Sequence, residues 1–278
     1  FTSFIFSDVD WSDSNDCKLP DYSNFANEII KEMTIEQKVG QIIMPEINSI
    51  TEDEVKKFYL GTILNGGGGF PNQNKNSDID DWKNLSKAYY DASPVVNGIK
   101  IPILWGTDAV HGHNNVIGAT IFPHNIALGS TRNSNLIKKI GSAVAKEVVS
   151  TGIIWTFAPT IAVPQNDLWG RTYEGYSENT ALVSDFGKNF IEGLQGTSEN
   201  FLGNEKVLAT AKHFLGDGGT DQGIDQGNTI LSEFSFKNIH GAPYYEAIDS
   251  CALSIMASFN SWNGEKLHGN KYLLTDVL

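Results

Sequence analysis

Four times along this chain a short apolar run breaks abruptly into acids, imidazoles, glycines or amides. The clearest case is IPIL at 101–104, which opens into Gly106, Asp108, His111, Gly112 and His113. WTFAPTIAV at 155–163 opens into Asp167, Trp169, Gly170 and Arg171. VLATAKHF at 207–214 opens into Gly216, Asp217, Gly218 and Gly219, and the run from 254 ends in Asn260 and Trp262. A brief apolar run bounded by turn formers reads as a buried strand. Polar clusters at the ends of such strands are the plan of α/β barrels, which keep their chemistry at the C-terminal rim. Each run is separated from the next by a segment of helical periodicity, and that alternation indicates parallel βαβ units.

The periodicity predicts helices over 22–33, 52–58, 80–92, 135–150, 179–194, 239–250 and 272–278. Thr34 with Gln37 three residues on makes a capping-box pattern. Strands are predicted at 39–47, 61–64, 101–106, 155–163, 207–214 and 254–262. That is six βα units, whereas an eightfold barrel needs eight. The chain is therefore either an open sheet or a barrel that stops two strands short of closure. No GxGxxG follows the first strand, which argues against a doubly wound nucleotide fold. The run Gly66 to Gly69 lacks the Gly-Lys-Ser/Thr of a phosphate loop, so a tight turn or a close backbone approach is the better reading. Residues 1–20 are acidic and irregular, with Pro20 as a stop.

Bulk properties narrow the partners. The 278 residues carry a formal net charge of −13, which argues against nucleic acid or an anionic membrane as the main partner. No apolar stretch reaches the roughly 18 residues of a membrane span. The chain begins at Phe1 without Met, which reads as a processed or trimmed start. Cys17 and Cys251 are far apart and show no disulfide framework, so two free thiols are expected, with a bridge as the alternative. The triplet Asn84-Leu85-Ser86 has the form of a glycosylation acceptor and lends slight support to a secreted protein.

The polar strand ends form four groups: Asp108, His111 and His113; Arg171, Glu174 and Glu178; Lys212, His213 and Asp217; Asn260 and Trp262. Converging on one rim, they mix acceptors, donors and an aromatic face, which suits a neutral polyhydroxylated ligand. Plainer readings stand beside each. Asp108 could cap a turn, and Arg171 could hold its own loop by pairing with Glu174 or Glu178. Lys212 lies inside an apolar run, where a lysine is costly to bury without a partner or ligand. His213 would face away from Lys212 in a regular strand, so both reach the rim only if the strand ends there. His111, Gly112 and His113 have a metal-ligand spacing, and a metal-dependent barrel hydrolase is a competing reading. It is disfavoured because the motif lies on the third strand and no HExxH or Cys-rich pattern accompanies it.

The segments GTDAVHGHNNVIGATIFPHNIALGSTR, FAPTIAVPQNDLWGRTYEGYSEN, AKHFLGDGGTDQG and SFNSWNGEKLHGN are similar, in order and spacing, to successive motifs of glycoside hydrolase family 3. The similarity runs from about Met33 to Leu278 and is closest to the β-glucosidase and exo-β-glucanase branch. It implies a (β/α)8 TIM-type barrel of which about six strands are present over 34–278, preceded by an extension and first helix at 1–33. It also implies hydrolysis of terminal β-linked glucose with retention, no cofactor and no metal, and a secreted, periplasmic or lysosomal location. By the resemblance Asp108, Arg171, Lys212 and His213 would bind sugar hydroxyls, and Phe259 stands where many relatives carry a tyrosine. Retention needs two carboxylates about 5–5.5 Å apart. The resemblance implies a nucleophilic aspartate soon after Leu278 and an acid/base glutamate on a further α/β sandwich domain, neither of which is in this sequence. Asp276 is no substitute, since it lies at a predicted helix start where capping is the plain reading. The KHFPGHG-like loop that carries an acid histidine in the hexosaminidase branch reads Lys212-His213-Phe214-Leu215-Gly216-Asp217 here, without the second histidine. The remainder of the enzyme is thus an expected partner of this chain. A sugar-binding protein that lacks the catalytic carboxylates is the alternative reading.

Overall fold

The computed structural model describes residues 9–12, 17, 21–198 and 200–278; Pro20, the expected stop, lies outside them. The chain enters through α1 (Ser23–Glu32), α2 (Ile35–Gln41) and α3 (Glu52–Phe58) before β1 (Thr62–Asn65). Helix α4 (Ile79–Asp91) and a small hairpin, β2 (Val95–Val96) with β3 (Ile99–Lys100), lead to β4 (Leu104–Thr107). Then come α5 (Asn125–Ser130), α6 (Ser134–Ser150), β5 (Trp155–Thr156), α7 (Thr180–Gln195) and β6 (Thr210–Phe214). The last part holds β7 (Asn228–Thr229), α8 (Glu233–Phe236), α9 (Ala242–Asp249), β8 (Ser254–Ala257), β9 (Ser261–Trp262) and β10 (Glu265–Lys266).

The sheet runs parallel in sequence order. β1 pairs with β4, β4 with β5, and β6 with β8. Bridges from Trp155 to Leu208 and from Thr160 to Lys212 join β5 to β6, and Glu46 bridges to Leu64 on the other flank. Each crossover carries a helix, so the sheet's outward side chains are covered; Trp82 of α4, Val144 of α6 and Phe186 of α7 are almost fully buried. Inside, Gly106 leaves room for a ring, since a Cβ there would lie 2.4 Å from Phe157. Helices α3 and α4 start on capping boxes, Thr51 with Glu54 and Asp78 with Asp81, which satisfy their first free N–H groups.

Several expectations are corrected. The segment 39–47 is not a strand: the Thr34–Gln37 capping box starts a helix that runs to Gln41, and only Glu46 joins the sheet. Gly40 lets this helix press on the Phe58 carbonyl, from which a Cβ would lie 2.0 Å. The expected strand 155–163 shrinks to two residues and the Thr160 bridge, because Pro159 has no N–H to give the ladder. Cys17 and Cys251 are not free thiols but a disulfide, with Cα atoms 5.2 Å apart across 234 residues of sequence. The helix expected at 239–250 begins as a π turn at Lys237–Gly241, and a π-helix at Tyr272–Val277 places Asp276 within its length rather than at its start. No helix among the described residues is long and apolar enough to cross a membrane.

Candidate active site

Asp108 stands one residue past β4, where its N–H donates to the Asn65 carbonyl at the end of β1 (3.3 Å). Lys212 rises from β6, and its Nζ reaches Asp108 Oδ1 at 3.0 Å. The lysine side chain is 5 % exposed and the aspartate 35 %, so the buried ammonium has its counter-charge on the solvent side. This supplies the partner that a lysine in an apolar strand requires. The register of β6 against β8 shifts between Lys212 and Phe214. Such a bulge re-aims side chains, and it lets Lys212 and His213 serve the same rim.

Arg171 opens the short turn Thr172–Glu174 after β5. Its Nε and Nη2 grip Glu174 Oε1 and Oε2 at 2.8 and 2.9 Å, so Glu174 rather than Glu178 is its partner. Nη2 also lies 3.1 Å from His213 Nε2, and His213 Nδ1 lies 2.8 Å from Asp217 Oδ2. A guanidinium can only donate, so Nε2 accepts and the ring proton sits on Nδ1, donated to Asp217. The result is one line of fixed polarity: Glu174, Arg171, His213, Asp217. Asp217 Oδ1 accepts from the Gly218 N–H at 3.1 Å, which anchors the far end. Burial by itself would raise the Glu174 carboxyl, but the hydrogen bonds and charge of Arg171, with Lys212 and His213 nearby, hold it below its ordinary range. Burial likewise opposes the Arg171 charge, and Glu174, Asp217 and Asp225 together raise its pKa.

The loops behind this line are also tied. Asn125 Nδ2 donates to the Glu174 carbonyl at 2.7 Å, and Trp169 Nε1 to Asp225 at 3.0 Å. Neither tie was legible as part of the site; an amide inside the short apolar segment NIALGS was the one available signal.

The remaining candidates separate from this network. Phe259 is 63 % exposed with its ring edge against His268, 5.3 Å between centroids, and has no link to the hydrogen-bonded line. Asn260 and Trp262 turn inward: Asn260 Nδ2 donates to Thr229 Oγ1, while Trp262 stacks on Phe236 and donates to the Leu231 carbonyl. They hold β7 and β9 together, and Phe236 takes one face of the half-buried Trp262 ring. His113 is buried against Trp82 with Nε2 on Thr151 Oγ1, and burial drives its pKa down to about 4. His111 bonds the Phe122 carbonyl and packs on His124. The two histidines of the HxH motif therefore point to different partners. Among the described residues no group of three or more His, Cys, Asp or Glu could hold a metal ion.

A parallel sheet stitched in sequence order, with acids, bases and amides gathered where its strands end, defines an α/β protein of the TIM-barrel-like class with a polar rim site. More narrowly, residues 34–278 match the glycosyl hydrolase family 3 N-terminal domain, and the chain belongs to that family. It is 30 % identical over 276 residues to the lysosomal beta glucosidase of Dictyostelium discoideum, covering 91 % of this chain and 33 % of that protein. The periplasmic beta-glucosidase of Salmonella typhimurium is 28 % identical over 255 residues, covering 91 % of this chain and 31 % of that one. The crystal structure of a mutant exo-1,3/1,4-beta-glucanase from a Pseudoalteromonas species superposes with a TM-score of 0.91 at 49 % identity, covering 95 % of this chain and 43 % of that one. This chain thus spans about a third of the length of the curated relatives it matches.

Proposed function

We propose that this chain supplies the sugar-binding floor of a retaining enzyme that hydrolyses terminal non-reducing β-D-glucosyl residues from β-glucosides or β-glucans. The observation that carries the reading is the pair Asp108–Lys212 and the line Glu174–Arg171–His213–Asp217, which meet at the neighbouring residues Lys212 and His213 of β6. A pyranose offers a ring of hydroxyls that both donate and accept. Asp108 accepts, Lys212 and Arg171 donate, and His213 holds one tautomer. Such pre-oriented groups bind without reorganising, and the contact to the accepting Asp108 carboxylate strengthens as positive charge develops on the sugar. Phe259, 63 % exposed and apart from these groups, is not assigned a sugar contact.

The carboxylates in the network are engaged in holding cations or an imidazole: Asp108 with Lys212, Glu174 with Arg171, Asp217 with His213. Their task is binding, and the attacking and protonating carboxylates are contributed by polypeptide outside this sequence, in a (β/α)8 barrel with a further domain. Helix α1, in residues 21–33, stands ahead of the barrel segment 34–278. The engaged carboxylates equally favour a second reading, a sugar-binding protein without turnover. The Cys17–Cys251 disulfide and the lysosomal and periplasmic relatives support a secreted, periplasmic or lysosomal location, since disulfides persist in oxidising compartments. Two assays test the proposal: calorimetric titration with glucose, and hydrolysis of an aryl β-glucoside by the longer protein. Glucose binding together with hydrolysis supports the enzyme reading; binding without hydrolysis by the longer protein supports the second. No glucose binding refutes both.

A further inference from the structure

The turn that presents Asp217 is clamped by glycine contacts. A Cβ on Gly216 would lie 2.3 Å from the Phe236 ring, and one on Gly218 would lie 2.7 Å from the Val163 carbonyl oxygen. On the remaining side stands His240, 2 % exposed, on the π turn Lys237–Gly241. A Cβ on Gly219 would lie 2.3 Å from His240 Nε2 and 2.8 Å from Cε1. That nitrogen is buried with no hydrogen-bond partner among the described residues. An unpartnered buried polar atom is costly, so a side chain kept in that state calls for an explanation. A π turn inside a helical segment is itself a feature common at functional sites, and here it turns an imidazole toward the backbone of the Asp217 loop.

We infer that His240 is a positioning residue for the sugar-binding line: its ring presses on Gly219 and fixes the 216–219 turn so that Asp217 meets His213 Nδ1. The inference rests on the functional reading above only for its link to sugar. The mechanical link is direct. Gly219 leaves just the room that the flat imidazole fills, and Asp217 lies two residues away with both oxygens committed, to His213 and to the Gly218 N–H. If the backbone at Gly219 relaxes, the Asp217 carboxylate swings off Nδ1. The His213 tautomer is then no longer set at that end, and Arg171 loses a defined acceptor. Burial keeps the His240 ring neutral, with its pKa lowered to about 4, so it adds no charge beside Asp217.

The test is a compensating pair. His240→Ala opens a void behind the turn, and Gly219→Ala overfills the same space from the other side. Histidine ring ¹⁵N spectra report the His213 tautomer, with the signal assigned by its loss in His213→Gln. Glucose titration reports binding. We expect each single variant to move His213 from a single-tautomer to a mixed pattern and to weaken glucose binding by at least about threefold. The double variant should recover both, because the new methyl occupies the vacated space. Val144→Ala, a cavity in α6, should lower thermal stability and leave the His213 pattern unchanged. Either of two results overturns the inference: an unmoved His213 pattern in both single variants, or a double variant as disturbed as the sum of the two. A wild-type protein that binds no glucose while His213 still responds to the pair sinks the functional reading and leaves the inference standing.

Discussion

Lys212→Met separates a binding lysine from one that only holds the fold. Methionine matches the stem of lysine, so the slot in β6 stays filled and packing changes little. What is lost is the ammonium 3.0 Å from Asp108. A hydrogen bond to a charged group contributes about 1.5–3 kcal/mol. For binding the contact at stake is the one the Lys212 ammonium donates to a sugar hydroxyl, and beside the partly exposed Asp108 the lower end applies. A loss of about 1.4 kcal/mol corresponds to roughly tenfold in the glucose dissociation constant. The cost in stability should be smaller, about 1 kcal/mol or less, because the charge left behind reaches solvent while the one removed was buried. Calorimetric titration gives the first quantity and urea unfolding the second. An unchanged glucose affinity with a clear loss of stability would refute the argument and leave Lys212 a structural residue.

Other predictions follow from the same contacts. Asp108→Asn should show the reverse asymmetry, since it strands an ammonium that is 5 % exposed; a stability loss of about 2 kcal/mol or more in urea is expected, together with weaker glucose binding. Reducing the Cys17–Cys251 bridge, or Cys17→Ser, releases a loop of 234 residues, and in the chain-entropy model removes up to about 5 kcal/mol; a melting temperature indifferent to reductant would contradict this. His113 is held neutral at a pKa of about 4 by burial, against about 6.5 in the unfolded chain. The unfolded state therefore binds the extra proton between those values, and stability falls as pH drops through the window, by roughly 2 kcal/mol between pH 7 and pH 5. His113→Gln should flatten the slope by about one proton, read from unfolding midpoints across pH; an unchanged slope would show that His113 is not the group responsible.

How much of this was legible in the sequence depended on how local each signal is. Helices α3, α4, α6 and α7 lie within about two residues of their predicted bounds, because apolar periodicity and capping boxes are written in neighbouring residues. The segment 39–47 misled because its apolar residues suggested a buried strand, whereas Ile42 and Ile43 are exposed and Gly40 serves a helix contact. Asp108, Arg171, Lys212 and His213 could be picked out because polar groups directly after or within buried strands have few plain explanations. Their sorting into an Asp108–Lys212 pair and a line through Arg171 and His213 depends on the register shift in β6 and on the turn after β5, which no local pattern announces. Phe259, Asn260 and Trp262 show the limit of that reasoning. They follow a strand as the others do, yet Asn260 is buried against Thr229, Trp262 stacks on Phe236, and Phe259 stays outside the network. The disulfide gave no signal because its halves meet only through the tertiary fold.

In the proposed site Asp108, Arg171, Lys212 and His213 together receive one terminal sugar. A crystal of this chain soaked with glucose tests it most directly. A single pyranose is expected at the ends of β4 and β6, with hydroxyls within hydrogen-bond reach of Asp108, Lys212, Arg171 and His213. Glucose bound elsewhere, or an unliganded rim at saturating sugar, would contradict it.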